Sequence, residues 1–364
     1  MLMYQTRRSF IKLAGASGAI AALGISAPSI GQSANKITFT TSWLPEGPNL
    51  FAYVARDKGF WKSNGLDVTV ARGSGSGPTA QAVGANTFMF GMGAAPTVMV
   101  QAAKGLPITS IAQLNYDALM GVGVLANSPI KTPKDLEGKK LGASVGSGEY
   151  PFLPLYAKKA GFDFSKVTLV QLDSKVRDRS LIEKLVDGVA AFGSSTIPSL
   201  AANGVDVRFM LFKAVGLEFY GQSLITQTAR VKAEPAMCQA FVNGAMQAIQ
   251  FVMTNPDEAL AIFLKANDEV AMTSSGKRYA QIGLGLTNLT NIVPEVINNG
   301  LGWADPAKMK SQAEIVLEFA AGQGAKLPEM SSLFTNQFAG KIKLSEAQLT
   351  QARKMIEPYR KYVA

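Results

Sequence analysis

Residues 88–105, FMFGMGAAPTVMVQAAKG, have an echo further along the chain at residues 189–204, VAAFGSSTIPSLAANG. Each segment runs from a β-prone strand through a glycine turn into a proline-bearing helix and ends on glycine. Proline is pre-set for the first helical turn, and glycine suits the position just after the last one. Two copies of one strand–turn–helix unit form a weak internal repeat, which points to two lobes of one design.

Working outward, the apolar patterning predicts strands over 37–41, 66–70, 88–92 and 108–113, with helices over 50–62, 79–84 and 96–104 between them. That βαβαβαβ order predicts a mostly parallel sheet with helices on both faces. The pattern then restarts. Strands are expected over 121–125, 140–143, 167–172, 189–192 and 207–211, and helices over 150–159, 179–186 and 198–203. Beyond residue 222 the chain turns helical, with segments expected over 233–253, from Pro256 onward, and over 269–283, 305–320 and 345–362. The sequence therefore predicts an α/β chain of two lobes, the first discontinuous: 35–119 plus 217–364, with 120–216 as the second.

The chain has 364 residues, 47% of them apolar and 17% charged, enough to bury a core in each lobe. Its formal charge is +10. Arg7, Arg8 and Lys12 lie in an acid-free opening stretch; removing them from the 36 bases leaves 33 against 26 acids, or +7. The remaining bases are scattered and do not alternate with aromatics, so no nucleic-acid groove is expected. Histidine is absent and Cys238 is the single cysteine. The commonest general base and the commonest transition-metal ligand are thus missing. No intrachain disulfide or thiolate metal cluster can form. No G-x-x-x-x-G-K-[S/T] phosphate loop occurs.

Residues 6–12, TRRSFIK, followed by an Ala/Gly-rich apolar run to Ile30, resemble a twin-arginine export signal. Small residues at Gly31, Ser33 and Ala34 offer a cleavage site. Segment 1–34 is therefore expected to be a signal peptide. With no cysteine near the cleavage region, the mature chain is expected free in the periplasm, not lipid-anchored.

Further motifs carry a family pattern. They are Trp43-Leu44-Pro45, Lys58-Gly59-Phe60-Trp61, Asn64-Gly65-Leu66-Asp67-Val68, Gly73-Ser74-Gly75-Ser76-Gly77, Lys134 through Gly142 (KDLEGKKLG), Asn255-Pro256-Asp257-Glu258-Ala259 and Leu301-Gly302-Trp303-Ala304-Asp305. In this order they resemble the ABC-importer binding proteins for nitrate, sulfonates, taurine and thiamine pyrimidine precursors. The late helical region is most similar to the pyrimidine-precursor branch. The resemblance implies a type II-like periplasmic binding fold, two α/β lobes joined by crossovers that close over a ligand. It also implies delivery of a small molecule to an inner-membrane ABC permease by a monomer without enzymatic activity, cofactor, metal or nucleic acid.

In open parallel sheets, ligands bind beyond the carboxyl ends of the strands. Three turns are expected there: 73–77 with Ser74, Gly75 and Ser76; 91–94 with Gly93 and Ala94; and 146–149 with Ser147, Gly148 and Glu149. Free N–H groups at helix starts favour a carboxylate or sulfonate. Trp43 offers a stacking face for a planar ligand. Asn49 and Glu149 suit an amine or ring nitrogen, and Tyr220 could close over the ligand or pack at the hinge. Arg72, Arg177 and Arg179 are candidate anion partners, each more simply read as solvated. Two alternatives stand beside the receptor. One is an enzyme on the same fold, making a thiamine pyrimidine from its own histidine or removing sulfinate with cysteine and histidine; the missing histidine argues against both. The other is a ligand-binding subunit of a sensor or of a different transporter class.

Overall fold

The computed structural model describes residues 35–363; the signal peptide expected over 1–34 lies outside the described residues. The strands are β1 (Asn35–Thr40), β2 (Leu66–Ala71), β3 (Phe90–Ala94), β4 (Ile108–Gln113), β5 (Met120–Leu125), β6 (Lys140–Ala143), β7 (Thr168–Gln171), β8 (Gly188–Phe192), β9 (Val207–Leu211) and β10 (Gln222–Gln227). They form two five-stranded sheets, ordered β2-β1-β3-β10-β4 and β7-β6-β8-β5-β9. Helices flank both, giving the two-lobed binding-protein fold. The repeat read from the sequence falls at matching places, since β3 and β8 each hold the centre of their sheet.

Each sheet is parallel except for one strand. β10 runs antiparallel between β3 and β4, and β5 runs antiparallel between β8 and β9. These are the first strands after each passage between the sheets, so the chain enters them from the opposite end. The two passages, 114–119 and 212–221, lie side by side. Ala118 N–H donates to Phe219 O at 2.9 Å and Gly221 N–H to Asn115 O at 2.8 Å. A Cβ on Gly221 would stand 2.8 Å from the Asn115 Cβ, so only glycine lets the two segments approach this closely.

Several sequence expectations shift. The helix expected over 50–62 is two, Leu50–Asp57 and Phe60–Ser63, because Gly59 turns left-handed at φ 72°. The helix expected from 198 starts at Gly193, leaving Pro198 inside it. Residues 91–94, read as a turn, belong to β3. Gly91 is there for packing: a Cβ would come within 2.7 Å of Val83 and 2.9 Å of Thr79 on the Ser76–Gly84 helix. β10 and the Pro294–Asn299 helix were not foreseen.

The core of the first lobe is aromatic. Phe90 stacks on Phe241 at 4.1 Å, Phe241 on Trp61 at 5.2 Å, and the Trp61 indole N–H donates to Phe241 O at 3.0 Å. Each such ring contributes about 1.5–3 kcal/mol by leaving water. This stack fastens the long Pro235–Thr254 helix to β3 and to the Phe60–Ser63 helix. Cys238, on the same helix, is fully buried, and burial pushes its thiol up to about 11.

Candidate functional site

The cleft between the sheets is built on the loop that follows β1. Asn49 is fully buried, and its side-chain amide donates to Leu44 O at 2.7 Å, tying the loop into a tight turn. Gly47 sits against the backbone of Gly283 on the Ser274–Leu289 helix, where a Cβ could not fit. Held at both points, the loop aims Trp43 and Glu46 between the lobes. From the second lobe, the Arg177–Ile182 helix brings Arg177 and Asp178, and the Gly193–Ala202 helix brings Ser195 and Thr196.

Trp43, Glu46, Arg177 and Ser195 form a neck. Outside it lies a cleft of about 460 Å³, the size of a small-molecule site. Inside it lies a void of about 10 Å³, roughly the room one water needs, lined by Ser42, Ser76, Ser147, Gly148, Phe192 and Gln222. Arg177 is 2% exposed, which overturns its reading as solvated. Its Nε donates to Asp178 Oδ1 at 2.9 Å and its Nη2 to Thr196 Oγ1 at 2.7 Å. Its guanidinium carbon lies 5.9 Å from the Trp43 ring centre, within reach of a cation–π attraction. Glu46 accepts from the Ser195 hydroxyl at 2.6 Å, a bond from one lobe to the other. Burial pushes the Glu46 carboxyl up to about 7, against the pull of Ser195 and Arg177. Burial likewise raises Glu149, opposed by Arg177 and Ser147.

The glycine turns do not behave as empty anion cradles. Gly75, at φ 145°, packs directly on the Gly146 carbonyl of the opposite lobe, so the 73–77 turn is a lobe–lobe contact. Ala94 N–H is taken by the Ser76 hydroxyl at 3.0 Å and Ala95 N–H by Gly221 O at 2.9 Å. In the 146–149 turn the Ser147 hydroxyl donates to the Glu149 carboxyl group, so the chain's own acid occupies that turn. Thr97 closes the same seam by donating to Gly148 O at 2.9 Å.

Of the sequence candidates, Trp43, Ser76, Ser147 and Gly148 line the inner chamber. Gly75, Ala94 and Glu149 lie in the seam beside it, and Gly93 is buried in β3, packed toward Val98 and Ser76. Ser74 is exposed. Asn49 shapes the loop from beneath. Tyr220 takes the hinge alternative: its ring meets Tyr116, and its hydroxyl donates to Glu295 at 3.1 Å and accepts from Asp305 N–H at 3.2 Å. Arg72 and Arg179 stay on the rim, paired with Glu269 at 2.9 Å and Glu183 at 2.6 Å. Glu46, Asp178, Ser195 and Gln222 were not foreseen. The repeat held a signal for Ser195, since Gly193-Ser194-Ser195 follows β8 as the expected 93–94 pair follows the start of β3. Glu46 is the lone acid between residues 1 and 56.

Two α/β lobes with a polar, tryptophan-walled cleft between them define a periplasmic-binding-protein fold. The chain belongs to the NMT1/THI5-like family, whose pattern matches residues 49–259. It is 26% identical over 229 residues to a formylaminopyrimidine-binding protein of Halalkalibacterium halodurans, covering 62% of this chain and 69% of that one. It is 31% identical over 318 residues to a 4-amino-5-hydroxymethyl-2-methylpyrimidine phosphate synthase of Saccharomyces cerevisiae, covering 78% and 92%. Among solved structures, the alkanesulfonate-binding protein of Xanthomonas axonopodis pv. citri bound to MOPS superposes with a TM-score of 0.63 at 12% identity, covering 82% and 98%.

Proposed function

We propose that this chain is an exported solute receptor that carries a small planar nitrogen heterocycle of the pyrimidine class to an ABC permease. The observation that carries the reading is the neck and its surroundings: one tryptophan face and one guanidinium, Arg177, faced by the carboxyls of Asp178, Glu149 and Glu46. A ring stacked on Trp43 would meet acceptors rather than free anion-binding N–H groups, which favours an amino-bearing ring over a sulfonate or carboxylate. The formylaminopyrimidine-binding relative supports that ligand class. In this reading 35–119 with 217–364 moves as one body and 120–216 as the other, about the paired passages, and ligand contacts made on both sides favour the closed form. The twin arginines at 7 and 8 support export to the periplasm.

The synthase relatives raise a second reading, an enzyme on the same fold. The complete absence of histidine and the buried, raised thiol of Cys238 favour the receptor. A thermal-shift panel of aminopyrimidines, alkyl and aryl sulfonates, taurine, nitrate and aromatic carboxylates tests the assignment. Stabilisation by aminopyrimidines that grows with concentration and leaves them unchanged is the expected result. Selective stabilisation by sulfonates, or turnover of the pyrimidine, would displace it.

A further inference from the structure

Around the neck, Arg177 faces three carboxyl groups, Asp178, Glu149 and Glu46. Asp178 and Arg177 are committed to each other and to Thr196. Glu46 and Glu149 are left with hydroxyl partners, Ser195 and Ser147. Glu149 is fully buried and its Oε1 has no partner; Gln222 Oε1 and Ser42 Oγ, beside the inner chamber, also have none. Two of these three atoms can only accept, and the third can accept. A buried carboxylate without a positive partner is strongly disfavoured, and a buried acceptor without a donor loses the whole of its hydration.

We propose that Glu46 and Glu149 are specificity-determining residues that require the ligand to bring positive charge and N–H donors into the closed cleft, where it replaces the proton carried by Glu46 when the cleft is empty. The inference rests on the receptor reading and adds to it the charge of the ligand and an exchange of protons. At Glu46 the exchange is balanced: the protonated carboxyl and the ligand cation give a carboxylate–cation pair and one released proton.

The groups facing Glu46 are Arg177 and Asp178 from one helix, Ser195 from a second and Tyr279 from a third; Arg177, Asp178 and Ser147 face Glu149. Arg177 acts on both carboxyls and is already paired with Asp178, while Arg72, Lys175 and Arg179 line the outer cleft. Burial holds the empty-cleft Glu46 up to about 7, and a cation at its side would lower it again. Below that pH, affinity for a fixed cation therefore rises with pH, by about tenfold per unit for each proton released, and flattens above it.

The test is calorimetric titration of the protein at pH 5.5, 6.5, 7.5 and 8.5, in buffers of different ionisation heat. The probes are 4-amino-1-methylpyrimidinium as a fixed cation, 2-methylpyrimidine as a neutral ring and ethanesulfonate as an anion. The cation is expected to bind best, tightening about tenfold from pH 5.5 to 6.5 with proton release and little from 7.5 to 8.5. Glu46→Gln should flatten the profile, and Glu149→Gln should narrow the preference for the cation over 2-methylpyrimidine, so one variant that fails to fold leaves the other informative. A purely structural role would lower affinity without changing the pH slope. Cation binding that is independent of pH, or a Glu46→Gln profile that keeps the wild-type slope, overturns the proposal. Equal binding of 2-methylpyrimidine overturns it while leaving the receptor reading intact. Preference for ethanesulfonate, or silence of all three probes, overturns both.

Discussion

Replacing Gly75 by alanine should hold the lobes apart. The added Cβ would lie 2.8 Å from the carbonyl carbon of Gly146 and closer still to its oxygen. Carbon pairs settle at about 3.5–4.0 Å, so the seam must open by roughly 0.7 Å or more at this point. Gly75 also sits at φ 145°, a conformation that costs a non-glycine residue about 1–3 kcal/mol. In the closed form both penalties act together, while in an open form the turn leaves Gly146 and can relax. A bias of about 3 kcal/mol against closure weakens ligand binding on the order of a hundredfold. Neither sheet contains Gly75, so the unfolding transition should stay near that of the wild type. Isothermal titration beside thermal denaturation checks both parts. Wild-type affinity in a folded Gly75→Ala protein would refute the seam as the closing contact.

Trp43→Ala should lower ligand affinity about 10–100-fold, the loss of one buried aromatic anchor, with the fold retained; unchanged affinity in titration would remove Trp43 from the site. Phe241→Ala should cost about 3–5 kcal/mol of stability in urea unfolding, because it empties the stack between Phe90 and Trp61. The native Cys238 thiol, pushed up to about 11, should react with a disulfide reagent at pH 8 at least roughly a hundredfold more slowly than in the unfolded chain.

The alternation of strands and helices was legible because both periodicities are strong in the first 211 residues. β10 was not, although it is buried along most of its length. Its QSLITQ composition is polar, and much of that polarity is met by residues distant in sequence: Ser223 pairs with Ser110 at 3.0 Å, and Thr226 donates to Met89 O at 2.8 Å. A central strand stabilised by remote hydrogen bonds leaves little local trace. The helix at Gly193 was misplaced for a related reason, because Pro198 reads as a first-turn residue and sits in the interior instead.

At the cleft, the loops singled out in the sequence lie together, but their polar groups pair with one another more than the sequence suggested. Trp43 was visible as a lone aromatic after the first strand. The glycine turns looked like anion sites because their N–H groups seem free in isolation. Folding supplies Ser76 as the acceptor for Ala94, a tertiary contact, while the acid of the 146–149 turn pairs locally with the Ser147 hydroxyl. Arg177 looked like surface because arginine usually is. Its burial follows from Asp178 next to it and Thr196 on the adjoining helix.

The central claim is closure over a donor-bearing ring, and a distance across the cleft mouth tests it most directly. Spin or dye labels at Lys175 on the second lobe and at Met272 on the first, which is 80% exposed, would report the gap in the full chain. Saturation with an aminopyrimidine should shorten and narrow the distance distribution, and ethanesulfonate should leave it unchanged. An aminopyrimidine that binds without altering the distribution, or a sulfonate that closes the cleft, would contradict the account.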